Sequence, residues 1–207
     1  MELREALDQI SEIRQQMAHA QVFRGYRSAT TAATALLAFT AALVQARFVP
    51  EPARDIDGYL YVWCGTALIS AALVSVEMAI RTRRSGSPLQ RQLTLVVIDQ
   101  FVPSLVAGAL LTLVIAQFSA DAAWMLPGLW AVIFSQGLFA SRRFLPRGIF
   151  IPGGYYLIAG LACLTLDRAT HKSLSPWTMG LLFGVGQLLT AAVLYWTLER
   201  NHARGQD

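Results

Sequence analysis

Charge is scarce in this 207-residue chain: Asp, Glu, Lys and Arg make up only 14% of it, against about 25% in an ordinary soluble domain. Lysine is nearly missing, since Lys172 is the only lysine among 17 basic residues. Cysteine is limited to Cys64 and Cys163, with no CxxC pair, which excludes a disulfide-dense secreted scaffold and the common thiol metal motifs. Histidine is limited to His19, His171 and His202. All three fall outside the apolar runs, so a membrane haem held between two in-span histidines and a histidine-based hydrolytic dyad both lack their ligands. The motifs GxxxxGK[ST], HExxH and GxSxG are absent, so phosphate-loop, zincin and nucleophile-elbow chemistries find no support.

Apolar residues take the space that charge leaves. They form 55% of the chain, and the mean hydropathy is +0.45. They fall into uninterrupted runs of roughly 17 to 26 residues, the length an α-helix needs to cross about 30 Å of hydrocarbon. The pattern predicts an all-α, polytopic integral membrane protein with six transmembrane helices. The spans are expected at 28–48, 58–80, 93–118, 122–140, 148–166 and 176–198, within a membrane domain of residues 27–199 and ahead of a short tail, 200–207. Residues 1–26 precede them. Within this segment Leu3, Ala6, Leu7, Ile10, Ile13 and Met17 recur at three and four and predict an amphipathic helix. Its mixed charge suits packing on protein better than binding lipid. The first 20 residues have neither a basic start nor an apolar core of signal-peptide length, so no cleaved targeting peptide is expected.

Orientation follows from where the basic residues fall. The N-terminal segment, the second and fourth loops and the tail together carry 13 Lys or Arg, and the opposite loops carry Arg47, Arg54, Arg168 and Lys172. Both termini are therefore expected in the cytoplasm, in a multi-pass protein of the cell inner (plasma) membrane. The same asymmetry accounts for the net charge of +4 without a nucleic-acid partner. The clusters RTRR ending at Arg84 and SRRFLPR ending at Arg147 read first as topology signals and second as sites for anionic lipid. Tyr59, Tyr61, Trp63, Trp124 and Trp177 gather at the outer ends, and Tyr26, Tyr195 and Trp196 at the inner ends, as an aromatic belt requires. Only Trp130 lies well inside a span.

Polar groups within spans are the candidate site residues, because hydrocarbon penalises them. Asp99 stands two turns into the third span, beside Gln100, and Pro103 follows four residues later and frees the carbonyl of residue 99. Glu77 stands one turn before Arg81 and can pair with it. Gln136 and Gln187 are mid-span amides that either line a shared cavity or join helices. The fifth span opens RGIFIPGGYY, where Pro152, Gly153 and Gly154 predict a broken helix exposing backbone groups beside Tyr155. Gly180 and Gly184 form a GxxxG close-packing pattern on the sixth span.

Three functions fit these residues. The first is a protein that binds or transports a small solute through a polar intramembrane site near the cytoplasmic side, built on Asp99, Gln100, Gln136, Gln187, Glu77 and Tyr155. The second is a non-catalytic membrane adaptor or sensor whose N-terminal helix contacts a cytoplasmic partner. The third is an intramembrane enzyme acting on a lipid or quinone, with Asp99 and Glu77 as acid and base. No cofactor or metal site is expected. The expected partners are membrane lipid, a second copy of the chain, or another membrane or cytoplasmic protein.

Overall fold

A computed structural model describes residues 28–85, 88–141, 145–170 and 174–199. The amphipathic segment expected before Ala20 lies outside the described residues. The described chain is all-helical. Six α-helices follow one another: α1 Ser28–Phe48, α2 Ile56–Ser85, α3 Pro88–Phe118, α4 Leu126–Ala140, α5 Phe150–Thr170 and α6 Pro176–Leu194. Tight 3-10 turns lead into α4 (Ala120–Met125) and α5 (Arg147–Ile149), and α6 runs on into one π-helical turn, Tyr195–Glu199. Five of these segments are long and apolar enough to cross a membrane: α1, α2, α3, Ala120–Ala140 and Pro176–Thr197. The described apolar part of α5, Phe150–Leu166, is shorter.

Local chemistry fixes several helix ends. Asp55 caps α2, its Oδ1 accepting the Gly58 N–H at 2.9 Å and its carbonyl accepting the Tyr59 N–H at 3.1 Å. This satisfies donors that have no partner within the first turn. Pro88 and Pro176 open α3 and α6, where the missing N–H costs nothing and the fixed φ already suits a helix. The turn between α1 and α2 is held by Val49 N–H to Gln45 O at 2.8 Å and by Arg54 and Asp55 N–H to Glu51 O.

α1 packs with reversed polarity, and α3 leaves most of its apolar length exposed. On α1 the buried face is Thr31, Thr34, Ala35, Ala38, Ala41, Ala42 and Gln45, while Leu36, Leu43 and Val44 point outward. On α3, Val102, Leu105, Val106, Leu110 and Leu113 are all exposed. A water-soluble bundle buries its leucines and shows its threonines. Small groups inside and large apolar groups outside is the arrangement of helices surrounded by hydrocarbon, where close backbone approach supplies the cohesion.

The closest approaches are made by glycine. The α1–α6 pair is the most extensive contact of the fold. There, a β-carbon on Gly184 would stand 2.5–2.8 Å from the Phe39 ring, and one on Gly180 would stand 2.8 Å from the Ala42 β-carbon. Where α4 crosses α5, Gly128 and Gly160 face each other, and a β-carbon on either would lie 2.8 Å from the other's carbonyl oxygen. Gly137 of α4 receives the Phe101 ring of α3. The centre is aromatic: Phe134 meets Phe101, Tyr156 and Phe183 at ring separations of 5.3, 4.8 and 5.9 Å, all edge to face.

Candidate functional site

Polar side chains occupy two levels of the bundle. At the end where α1 joins α2, Gln45 is fully buried, at 0% exposure. Its Nε2 donates to the Leu174 carbonyl at 2.7 Å, and its Oε1 accepts the Trp63 indole N–H at 2.6 Å. One amide thereby ties α1, α2 and the turn before α6. Next to it Tyr59 stacks on Trp130, with planes 7° apart. The Trp130 N–H donates to Thr112 Oγ1 at 2.7 Å, whose hydroxyl donates to Gly108 O at 2.7 Å. The Tyr59 hydroxyl is buried with no hydrogen-bond partner among the described residues, and Cys64 and Cys163 lie within electrostatic reach of it. The two cysteines are not joined in a disulfide.

The second level is toward the α2–α3 junction. Asp99, Gln100 and Gln136 flank the contact between Phe101 and Gly137, and all three are exposed. They lie on the outside of the α3–α4 pair and do not converge on an interior cavity. Gln187 is half-buried on α6. Glu77 is paired with Arg81, Oε1 to Nε at 3.7 Å. Tyr155 donates its hydroxyl to the Leu181 carbonyl at 3.0 Å, tying α5 to α6.

Neither expected irregularity interrupts its helix. α5 is continuous from Phe150 to Thr170. Pro152 sits in its first turn, where an N–H would have no intrahelical acceptor, so Pro152 starts the helix and Gly153 and Gly154 continue it. Gly153 lies against the Phe139 ring, and a β-carbon on Gly154 would meet nothing within 4 Å. Likewise α3 runs through Pro103 without a stop.

The lengths of α2 and α3 set the depth of these groups. They have 30 and 31 residues, against 21 described for α1. Their ends away from the junction are level with the rest. Ile56 and Leu60 of α2 pack with Ile115 of α3 and with Ala123 and Leu126, and Trp63 meets Gln45. At 1.5 Å per residue α2 and α3 are about 45 and 46 Å long, some 15 Å more than a hydrocarbon crossing of about 30 Å needs. Counted back from Phe118 on the same rise, Asp99 is about 28 Å away, close to a full hydrocarbon thickness.

Gln45 with its two partners, and the Gly128–Gly160 crossing, were missing from the sequence-based site. Gln45 continues the Ala38–Ala41–Ala42 stripe at helical spacing, and that position was the available signal. Among the described residues no three of His, Cys, Asp and Glu stand together as metal ligands. Comparison with family models, with curated proteins and with solved structures finds no match to this chain.

Proposed function

We propose that this is a multi-pass protein of the cell inner membrane acting as a non-catalytic adaptor. On this reading six helices cross the bilayer and both termini are cytoplasmic. The α2–α3 hairpin stands out of the cytoplasmic face, and a cytoplasmic protein docks on it together with the amphipathic N-terminal segment. The carrying observation is that α2 and α3, at 30 and 31 residues, are longer than the roughly 20 residues a crossing needs, and that α2 carries Arg83 and Arg84 in its last turn, beside the α2–α3 junction. Reversed packing polarity supports the membrane assignment, and the bias of arginine supports the orientation.

The solute-carrier reading has weaker support. A carrier site in hydrocarbon is enclosed by protein or water, whereas Asp99, Gln100 and Gln136 point outward. Asp99 counts to the inner edge of the hydrocarbon, where a carboxylate reaches water. The same depth argument weakens an acid–base pair of Asp99 with Glu77, whose carboxylate already pairs with Arg81.

Site-specific photo-crosslinking in intact cells tests the adaptor. A crosslinker at Arg84 should capture one defined protein, and a crosslinker at Leu105, on the apolar face of α3, should not. If position 84 captures only lipid or the chain itself, while a small solute raises the melting temperature of the wild type and not of Asp99→Asn, the adaptor reading is overturned in favour of the carrier.

A further inference from the structure

We propose that the groove between α1 and α2, continued along α2 to Arg84 three turns beyond Leu73, binds an anionic phospholipid of the cytoplasmic leaflet. The proposal rests on the membrane-spanning reading above but not on the adaptor role. The groove has a volume of about 400 Å³ and is lined by Ala33, Leu36, Leu37 and Thr40 of α1 and Ile69 and Leu73 of α2. Apart from Thr40 every lining side chain is hydrocarbon, and the Thr40 hydroxyl is already used on the Leu36 and Leu37 carbonyls, at 2.8 and 2.9 Å. A polar solute finds no partner there beyond the acceptor lone pairs of that one hydroxyl. An acyl chain needs none.

Depth and direction fit a lipid. From Ser28, Ala33 and Thr40 are about 7 and 18 Å along α1, the depth of one leaflet's chains. The α2 wall continues out of the groove. At 3.6 residues per turn, Ile69, Leu73, Ile80 and Arg84 share a stripe about 60° wide. Ile69, Leu73 and Ile80 are exposed, and so is Arg84. Arg84 lies roughly 16 Å along the axis from Leu73. A chain seated against Ile69 and Leu73 therefore leaves its headgroup beside Arg84.

Charge selects the headgroup. Arg84 makes no ion pair with any described residue, and Arg83 is exposed beside it. Glu77, two turns before Arg84 on α2, is held by Arg81, so an anionic phosphate meets net positive charge at this level. The charged N-terminal segment is a poorer occupant. Its Glu2, Arg4, Glu5 and Asp8 would have to enter hydrocarbon to reach Ala33.

The test is native mass spectrometry of the full-length protein in mild detergent, titrated with phosphatidylglycerol or phosphatidylcholine of the same chains. The wild type should retain phosphatidylglycerol at least five-fold better. Arg84→Gln should bring the two lipids level, Ala33→Trp should cut retention of both, and Arg54→Gln, on the opposite side, should change nothing. Ile69→Ala, a truncation of an exposed side chain, gives a second reading of the groove should Ala33→Trp fail to fold. A headgroup preference that survives Arg84→Gln, or lipid retention unaffected by both groove variants, overturns the proposal. So does displacement of phosphatidylglycerol by millimolar inorganic phosphate, which marks a phosphate site with no acyl component. A wild type that retains no lipid and stays dispersed without detergent strikes the membrane reading itself.

Discussion

Gln45 and Trp63 face each other in the interior, the carboxamide oxygen of one accepting the indole N–H of the other at 2.6 Å. The amide nitrogen is engaged as well, on the Leu174 carbonyl at 2.7 Å, so the pair closes a junction between three parts of the chain. Gln45→Leu leaves a buried donor and a buried acceptor unpaired, which costs about 1–3 kcal/mol. Thermal unfolding in detergent should show Gln45→Leu well below the wild type. Adding Trp63→Phe to Gln45→Leu should cost less than Trp63→Phe costs alone. Strict additivity of the two would show that the hydrogen bond contributes nothing.

Gly184 is predicted to matter through Phe39. Gly184→Leu forces the ring out of its place on α6, an overpacking penalty of about 1–3 kcal/mol. Its melting temperature should fall while its mass by light scattering stays that of the wild type, because the contact is within one chain. Phe39→Ala on top of Gly184→Leu should recover part of the loss. A changed oligomer with an unchanged melting temperature would place Gly184 at an interface between copies instead.

Asp99 and Phe101 are two residues apart on α3 and should behave oppositely. Asp99→Asn alters an exposed side chain and should shift stability by no more than about 0.5 kcal/mol. Phe101→Ala removes the ring seated on Gly137 and against Phe134 and should cost about 3–5 kcal/mol. Comparable losses from both variants would mean that Asp99 has an interior partner.

Orientation is checked by labelling. With Cys64 and Cys163 replaced by serine, Arg54→Cys in the α1–α2 turn and Arg84→Cys at the end of α2 should react with a membrane-impermeant maleimide from opposite sides. In intact cells only position 54 should label, and in inverted vesicles only position 84. Labelling of both from one side refutes the proposed topology.

The helical, apolar class was legible because hydropathy is a property of segments, and five of the described helices are long and apolar enough to cross a membrane. The runs understated α2 and α3. Hydropathy stops at Arg81 and begins again near Leu93, yet Arg, Gln and Ser continue a helix readily in water, so the backbone carries on to Ser85 and resumes at Pro88. Pro152 looked like a break because its distance from the helix start was not visible, and that distance decides whether a proline is tolerated. The candidate site was harder to read for a different reason. Being mid-run identifies a polar residue, but not which way it faces. Rotation about the axis is set by neighbouring helices, which turned Gln45 inward and Asp99, Gln100 and Gln136 outward.

The reversed packing polarity has a consequence for how this sequence can drift. Leu36, Leu43, Leu105 and Leu113 are exposed on the outside of the bundle, so exchange among Leu, Ile, Val and Phe there is expected to alter little beyond the texture of a greasy coat. At Gly128, Gly160 and Gly184 a single added methyl group meets a carbonyl or a ring. The residues that make the chain recognisable as a membrane protein are thus its most interchangeable ones. Its particular shape is written instead in the small residues at the crossings and in the rings, such as Phe39, that seat against them.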